Sequence, residues 1–474
     1  MEMQVDTLAS SVAQISQSRG LPHVALVAMI APLGKLAGEL GRARLDRLLA
    51  RKAGDFLALR ARLAGPGRPA AIAAHYAGAA AALEAGRFGE CDRLLAQAEL
   101  QLLSGLGDIG SMSLEDRLAT GEVRADRGAT SLLTLTLQSY RDAADRLGEA
   151  SALVGLADPA RSHALALGQA EVMIRRSEDL SDGTGLPAAI AHLRVILAGL
   201  DSFDDTVLWA ATQERLGLAL ARLSSGQAPG GLAEAASCFR LALEDLRQAQ
   251  DPALWTRLQR HLGATLLKLD EQAATPDTDL VEEAVAALRA ALGGTKQAGD
   301  PAAWARLHQD LGRALFSLGR RTGAMAEFEA AFNSYQAAAT VWTRETAPER
   351  WAGLHHGMGQ VLSAMGERYG ESIVLEEAVA SFDQALEQRQ RDRALPGWAE
   401  STAEQGLARV KLALRLRDAG GAQQALTQIV SAVQAAQEAG LAALSADLQK
   451  TLASAGAMVE AASRAPPPAR RREF

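Results

Sequence analysis

Five tryptophans set the frame for this chain. Trp209, Trp255, Trp304, Trp351 and Trp398 stand 46, 49, 47 and 47 residues apart, and each is followed eight residues later by a glycine, at Gly217, Gly263, Gly312, Gly359 and Gly406. A further unit without the tryptophan keeps the spacing of eight in Ala160 and Gly168, with Ala160 lying 49 residues before Trp209. A fixed period of this length marks an array of supersecondary units. One such unit cannot bury its apolar face alone, so stability comes from stacking on its neighbours.

The second half of each unit repeats as well. In LAEAASCFRLAL (232–243), LVEEAVAALRAAL (280–292) and LEEAVASFDQAL (375–386), an alanine is followed at +4 by a large apolar residue and at +7 by another alanine. The triplets are Ala235/Phe239/Ala242, Ala284/Leu288/Ala291 and Ala378/Phe382/Ala385, and Ala331/Tyr335/Ala338 fits too. Spacings of 3, 4 and 7 put these residues on one face of a helix. Proline stands between units at Pro252, Pro301, Pro348 and Pro396, two or three residues before the tryptophan, where it suits the first turn of a helix. The aspartates before Pro252 and Pro301 are placed to cap that turn. Each unit therefore reads as helix A, loop, helix B, turn. The register glycine costs about 1 kcal/mol of helix propensity relative to alanine, so its recurrence predicts close approach of another helix. The tryptophans are expected to pack as wedges between units.

Gly217, Ala235, Phe239, Ala242 and Pro252 match in order the pattern of the tetratricopeptide repeat family, which the array resembles over roughly residues 130–435. The unit here, of about 47 residues, is longer than that family's 34. The surplus lies in loops such as SSGQAPGG (224–231) and in longer helices. The resemblance implies an all-α fold, a right-handed α-α superhelix of about eight hairpins, with a concave groove lined mainly by helix A. Long-unit arrays of this look occur in bacterial proteins, often beside or fused to effector enzymes.

Upstream the repeat fades. Residues 75–100 and 125–150 read as two further hairpins, with Gly78 in the small-residue place and Cys91 where alanine is usual. Residues 22–63 hold two helical patterns, one of them a stripe of Leu45, Leu48, Leu49, Lys52, Phe56, Leu59 and Leu63, and the run from Gly65 to Pro69 is a break. The expected division is an N-terminal helical segment (1–64), degenerate hairpins (70–150), the regular array (155–435), a capping helix (436–464) and a disordered, Pro-rich basic tail (465–474).

Composition narrows the function classes. Aromatics make up 4% of the chain against 48% hydrophobic residues, so alanine and leucine fill the apolar positions, which favours close-packed helices over sheets. A formal charge of −7 gives no support to wholesale nucleic-acid binding. Cys91 and Cys238 fall inside helical patterns and read as small buried apolar residues, not a disulfide framework. The alanine-rich stretches carry His, Gly and Glu and are too polar to span a membrane, and the first residues lack a secretory pattern, so a cytoplasmic protein is expected.

No catalytic or cofactor motif emerges. Gly105, Gly107 and Gly110 spell G-x-G-x-x-G, but a helical pattern precedes them where the dinucleotide motif requires a strand. His308 and His355 share one register and His261 lies 47 before His308. Equivalent positions on successive helices sit about 8–10 Å apart, too far to share a metal ion, so they are expected to line a surface. No cofactor and no metal site is therefore expected. The function class that remains is a non-catalytic protein–protein interaction scaffold, sensor or adaptor. The alternatives are the regulatory subunit of a bacterial effector or defence enzyme, or an enzyme with its site in residues 1–130. Counting from the register glycine, positions −6, −3, +1 and +5 of helix A should face the groove. They gather Arg257, Arg260 and Lys268 in the second tryptophan unit, Arg306, Gln309 and Arg313 in the third, and His356 and Gln360 in the fourth. The expected partner is a protein or peptide, an acidic segment in the sharper form of the expectation, where arginine forks bind carboxylates; a second copy of the chain stays open.

Overall fold

A computed structural model of the chain describes residues 2–33, 42–66, 68–104, 112–224, 230–273 and 275–464. The Gly105, Gly107 and Gly110 motif, most of the 224–231 loop and the tail 465–474 lie outside these residues. Among the described residues there are 20 α-helices and no strand. The chain divides into two compact units, Met1–Asp251 and Pro252–Phe474, the boundary falling at the turn before the second tryptophan unit.

The first unit holds α1 (Glu2–Arg19), α2 (His23–Ile30), α3 (Arg42–Leu63), α4 (Ala73–Glu84), α5 (Phe88–Leu103), α6 (Leu114–Leu132), α7 (Leu137–Val154), α8 (Pro159–Asp179), α9 (Leu186–Ala198), α10 (Thr206–Leu223) and α11 (Gly230–Asp245). The whole Leu45–Leu63 stripe of α3 is buried, Lys52 included. Cys91 and Cys238 are buried too, and burial pushes both thiols up to about 11.

The second unit is a stack of helix hairpins: α12 (Pro252–Gln272) with α13 (Thr278–Gly294), α14 (Pro301–Thr322) with α15 (Met325–Ala339), α16 (Pro348–Tyr369) with α17 (Ser372–Gln388), α18 (Leu395–Leu416) with α19 (Ala419–Glu438), and the closing α20 (Ala442–Arg464). Each B helix packs on the next A helix, and each A helix also touches the next A helix, so the A helices form one layer. The proline turns work as expected at α14, where Asp300 accepts from the Ala303 N–H at 2.9 Å with Pro301 in the first turn.

The two sequence motifs meet inside each hairpin. A methyl carbon added at Gly217 would lie 2.6 Å from the Phe239 ring, at Gly263 2.6 Å from Leu288, and at Gly312 2.9 Å from Tyr335. At Gly359 it would lie 2.9 Å from Phe382 and at Gly406 2.5 Å from Ile429. The large residue of helix B thus fills the space the glycine leaves on helix A. Gly168 departs from this: its nearest neighbour, Leu147, would be 3.8 Å away, so the register of eight persists there without the close approach.

The tryptophans correct the expectation of a core wedge. All five repeat tryptophans are only half-buried, and the buried one is Trp342, outside the series. Each repeat tryptophan sits in the first turn of helix A, beside the inter-unit turn. Trp304 and Trp351 lie against His308 and His355, with ring centroids 4.1 and 4.2 Å apart. These histidines therefore cover tryptophan instead of lining a free surface, and burial lowers the pKa of both.

Candidate functional site

Two adjoining cavities of about 440 and 640 Å³ form a groove in the second unit. Gln360, Glu404, Asp447 and Thr451 line both. The floor comes from α14, α16 and α18, and one wall from α20 through Leu444, Asp447, Leu448 and Thr451. The A-helix layer exposes this face because its opposite side carries the glycines that hold helix B. Of the eight residues assigned to the groove from sequence, Gln309, Arg313, His356 and Gln360 line the smaller cavity. Arg257, Arg260, Lys268 and Arg306 lie outside both, on α12 and the first turns of α14.

The basic stripe is answered from within. Arg313 pairs with Glu271 and stands 4.0 Å from Asp310. Burial raises the pKa of Asp310, while the charges of Arg313, Arg306, Arg260 and Lys268 pull it back down. The sequence reading omitted Asp310 because it sits two residues before the register glycine, off the counted positions. Arg257 and Arg260 have partners as well. Farther along, Glu400, Glu404 and Asp447 bring negative charge to the same cavity. Burial raises the pKa of Glu404, offset by Lys411 and Arg320.

His356 is not a cation. Burial, then the charge of Arg389, lowers its pKa to about 3. Its Nδ1 lies 3.0 Å from the Ser401 hydroxyl, and Arg389 Nη1 donates to that same oxygen at 2.8 Å. An arginine only donates, so the Ser401 oxygen accepts from Arg389, and its remaining lone pair or its own proton makes the contact with His356 Nδ1. Ser401 is fully buried, so its contact with His356 holds the ring and the guanidinium in place and presents no nucleophile. Arg389 and Ser401 were missed in the sequence, although a signal existed. Nine residues before the five tryptophans stand Leu200, Leu246, Thr295, Trp342 and then Arg389. Five residues before the register glycine stand the buried Thr212, then the buried Leu258, Leu307 and Leu354, and then Ser401. Arg389 and Ser401 fall at the same joint.

The first unit contains the residue of 1–130 whose chemistry comes nearest to catalysis. Lys52 is fully buried, donates to the Leu132 carbonyl and, at 3.0 Å, to Tyr140, and has its pKa lowered to about 7, first by burial and then by Arg175. The Tyr140 hydroxyl donates to Asp179, which Arg51 also holds at 2.9 Å, and Arg175 donates to Asp55. A cavity of about 340 Å³ lies alongside, lined by Arg51, Glu178, Asp179 and Arg222 but not by Lys52. Arg51 and Arg222 both pair with Glu178 at 2.6 Å. The amine is sealed into a polar joint between α3 and helices α6–α8. Among the described residues no group of three or more His, Cys, Asp or Glu is gathered to hold a metal, and no helix is long and apolar enough to cross a membrane.

No protein-family model matches the chain, and no curated protein matches it. Among solved structures it is similar to a Rap protein complexed with competence and sporulation factor, at 12% identity over 82% of this chain and 99% of that one, with a TM-score of 0.37. A STAND signal-transduction ATPase with a tetratricopeptide repeat sensor, from Pyrococcus horikoshii, aligns at 13% identity over 81% of this chain and 56% of that one, with a TM-score of 0.40. A circular tandem repeat protein aligns at 15% identity over 98% of each chain, with a TM-score of 0.25.

Proposed function

We propose that this chain is a non-catalytic protein-interaction scaffold or adaptor, and that the groove of its second unit receives a segment of a partner protein. The observation that carries this reading is the meeting of Gln309, Arg313, His356 and Gln360, from two successive A helices, around one open cavity that runs into a second. A slot that crosses several repeats, lined by side chains of both signs, suits an extended segment better than a compact substrate. The basic residues on α12 and α14 favour carboxylates on that segment, and their attraction weakens as salt rises.

The test is capture of a partner from native lysate by the full chain, repeated with two variants. Arg257→Glu with Arg306→Glu reverses the stripe outside the cavities, and Gln360→Trp fills the slot. Both variants are expected to keep the parent's helical content by circular dichroism and to lose the partner. A partner retained by both places binding elsewhere, and the N-terminal helices become the next surface to probe.

A further inference from the structure

We propose that copies of this chain associate head to tail, the loop around Phe203 of one copy entering an apolar cavity beside Leu416 of the next. The occupant of that cavity is a second copy of the chain, and the proposal is independent of the groove reading above.

The loop displays an anchor. Phe203 is 90% exposed, the highest value of any large apolar side chain among the described residues. Val207, four residues on in the first turn of α10, is exposed too. The backbone around the ring is held in place. The Phe203 N–H donates to Asp201 Oδ1 at 2.8 Å, the Asp205 N–H to the Asp201 carbonyl at 3.0 Å, and the Thr206 hydroxyl to the Ser202 carbonyl at 2.8 Å. An aromatic ring on an ordered loop loses little conformational freedom on binding, and its removal from water drives association. Only the first tryptophan repeat carries it. Six residues before the later tryptophans stand Ala249, Ala298, Glu345 and Asp392.

The cavity belongs to the last tryptophan repeat, between the end of α18 and the start of α19. It measures about 270 Å³ and is lined by Leu412, Ala413, Leu416 and Ala425, together with Arg409. Leu416 is 59% exposed. An apolar cavity of about 150 Å³ already holds benzene, so this one has room for a phenyl ring. The residue after Leu416 is the left-handed Arg417, where the two preceding repeats have Gly323 and Gly370. A side chain in that conformation carries a steric cost that glycine avoids, and here it sets a cation beside the cavity.

Charge selects the loop as the occupant. Asp201, Asp204 and Asp205 flank Phe203, and among the described residues no cation pairs with them. Beside the cavity stand Arg417 and Arg415, which donates to the Gly366 carbonyl at 2.8 Å, and among the described residues neither pairs with a carboxylate. Other exposed arginines are matched, Arg194 with Glu234, Arg313 with Glu271 and Arg344 with Glu387. Two apolar centres thus carry uncompensated charge of opposite sign, which steers one toward the other. They are different patches of the chain, so the contact is heterologous and leaves a loop free on one copy and a cavity free on the other.

Sedimentation velocity of the full chain tests the contact. From about 1 μM to about 1 mM, the window of a small interface, the mean mass of the parent should rise with concentration and fall back as salt is raised. Phe203→Lys and Leu416→Glu each put a repelling charge into the contact, and each should sediment as a monomer throughout. Mixed in equal amounts, they should form a one-to-one dimer and nothing larger. The Leu416→Glu copy keeps its loop and the Phe203→Lys copy keeps its cavity. Circular dichroism checks that each variant retains the parent's helical content. Should Leu416→Glu unfold, Arg417→Asp takes its place and is expected to weaken association at least tenfold. A parent that stays monomeric over the whole range overturns the proposal. So does a folded variant that associates as the parent does, because the copies then meet through another surface. A mixture of the two variants that stays monomeric overturns it as well, because Phe203 then serves a different partner.

Discussion

Lys52 shows how one residue ties a helix to a distant part of the chain. Its place in the Leu45–Leu63 stripe is visible in sequence, and an ammonium there predicts either a partner or a lost proton. The groups that meet it, the Leu132 carbonyl and Tyr140, lie 80 and 88 residues away. Its pKa of about 7 in the folded chain, against 10.5 for an ordinary lysine, fixes the sign of a pH effect. Below pH 7 both the folded and unfolded chains carry the proton. Between 7 and 10.5 the unfolded chain binds it and the folded chain does not, so folding gains as pH rises. The slope cannot exceed about 1.4 kcal/mol per pH unit for one proton. The stability of the parent minus that of Lys52→Met is therefore expected to grow by up to about 2 kcal/mol from pH 7 to 9, as read by denaturant unfolding at each pH. A difference that stays flat means that Lys52 keeps its charge in the fold.

At the scale of the element, the hairpin is organised by one contact between glycine and a large side chain. Gly263 and Gly312 face Leu288 and Tyr335 at distances no β-carbon tolerates without movement. Gly263→Leu and Gly312→Leu are each expected to destabilise by ~1–3 kcal/mol through overpacking. Gly168 makes the opposite case. It holds the same register, and a β-carbon there would meet only Leu147 at an ordinary 3.8 Å, so Gly168→Ala should stabilise by ~0.5–1 kcal/mol from helix propensity. Thermal melts of the three variants decide the matter, and a destabilising Gly168→Ala would show that register, not contact, governs the position. The end of helix A follows the same repeat. Gly323 and Gly370 close α14 and α16 with φ of +70° and +78°, and Arg417 holds the equivalent place after α18 at +58°. The left-handed turn persists there although the residue that favours it has gone.

The second unit as a whole depends on its last helix. A repeat array ends in an exposed apolar face unless something covers it. Leu448 and Ala455 of α20 are buried against Ala432, Val433 and Ala436, with Leu444, Leu452, Met458 and Val459 packed around them. Burial of a full-sized apolar side chain is worth about 1.5–3 kcal/mol, so a chain ending at Gly440 is expected to lose roughly 3–6 kcal/mol of stability in this unit. Denaturant unfolding followed by a tryptophan of this unit would measure it. A loss below 1 kcal/mol would mean that α20 only rests on the stack. The same truncation removes a wall of the groove, because Leu444, Asp447, Leu448 and Thr451 go with it.

The periodic residues by themselves determined the helix pairs, their turns, the buried face of helix B and the side of helix A that stays open. Each of these follows from spacing along one chain: 3, 4 and 7 residues make a helical face, and a repeated glycine makes a contact. They also placed Gln309, Arg313, His356 and Gln360 on a common surface. Tertiary structure alone decided which charges on that surface are spent. Asp310 and Glu271 answer the arginines, burial keeps His356 neutral, and Arg389 reaches the cavity from the far end of a B helix. Charge compensation and desolvation depend on distances between residues of different helices. A one-dimensional period lists those residues but does not measure how far apart they stand.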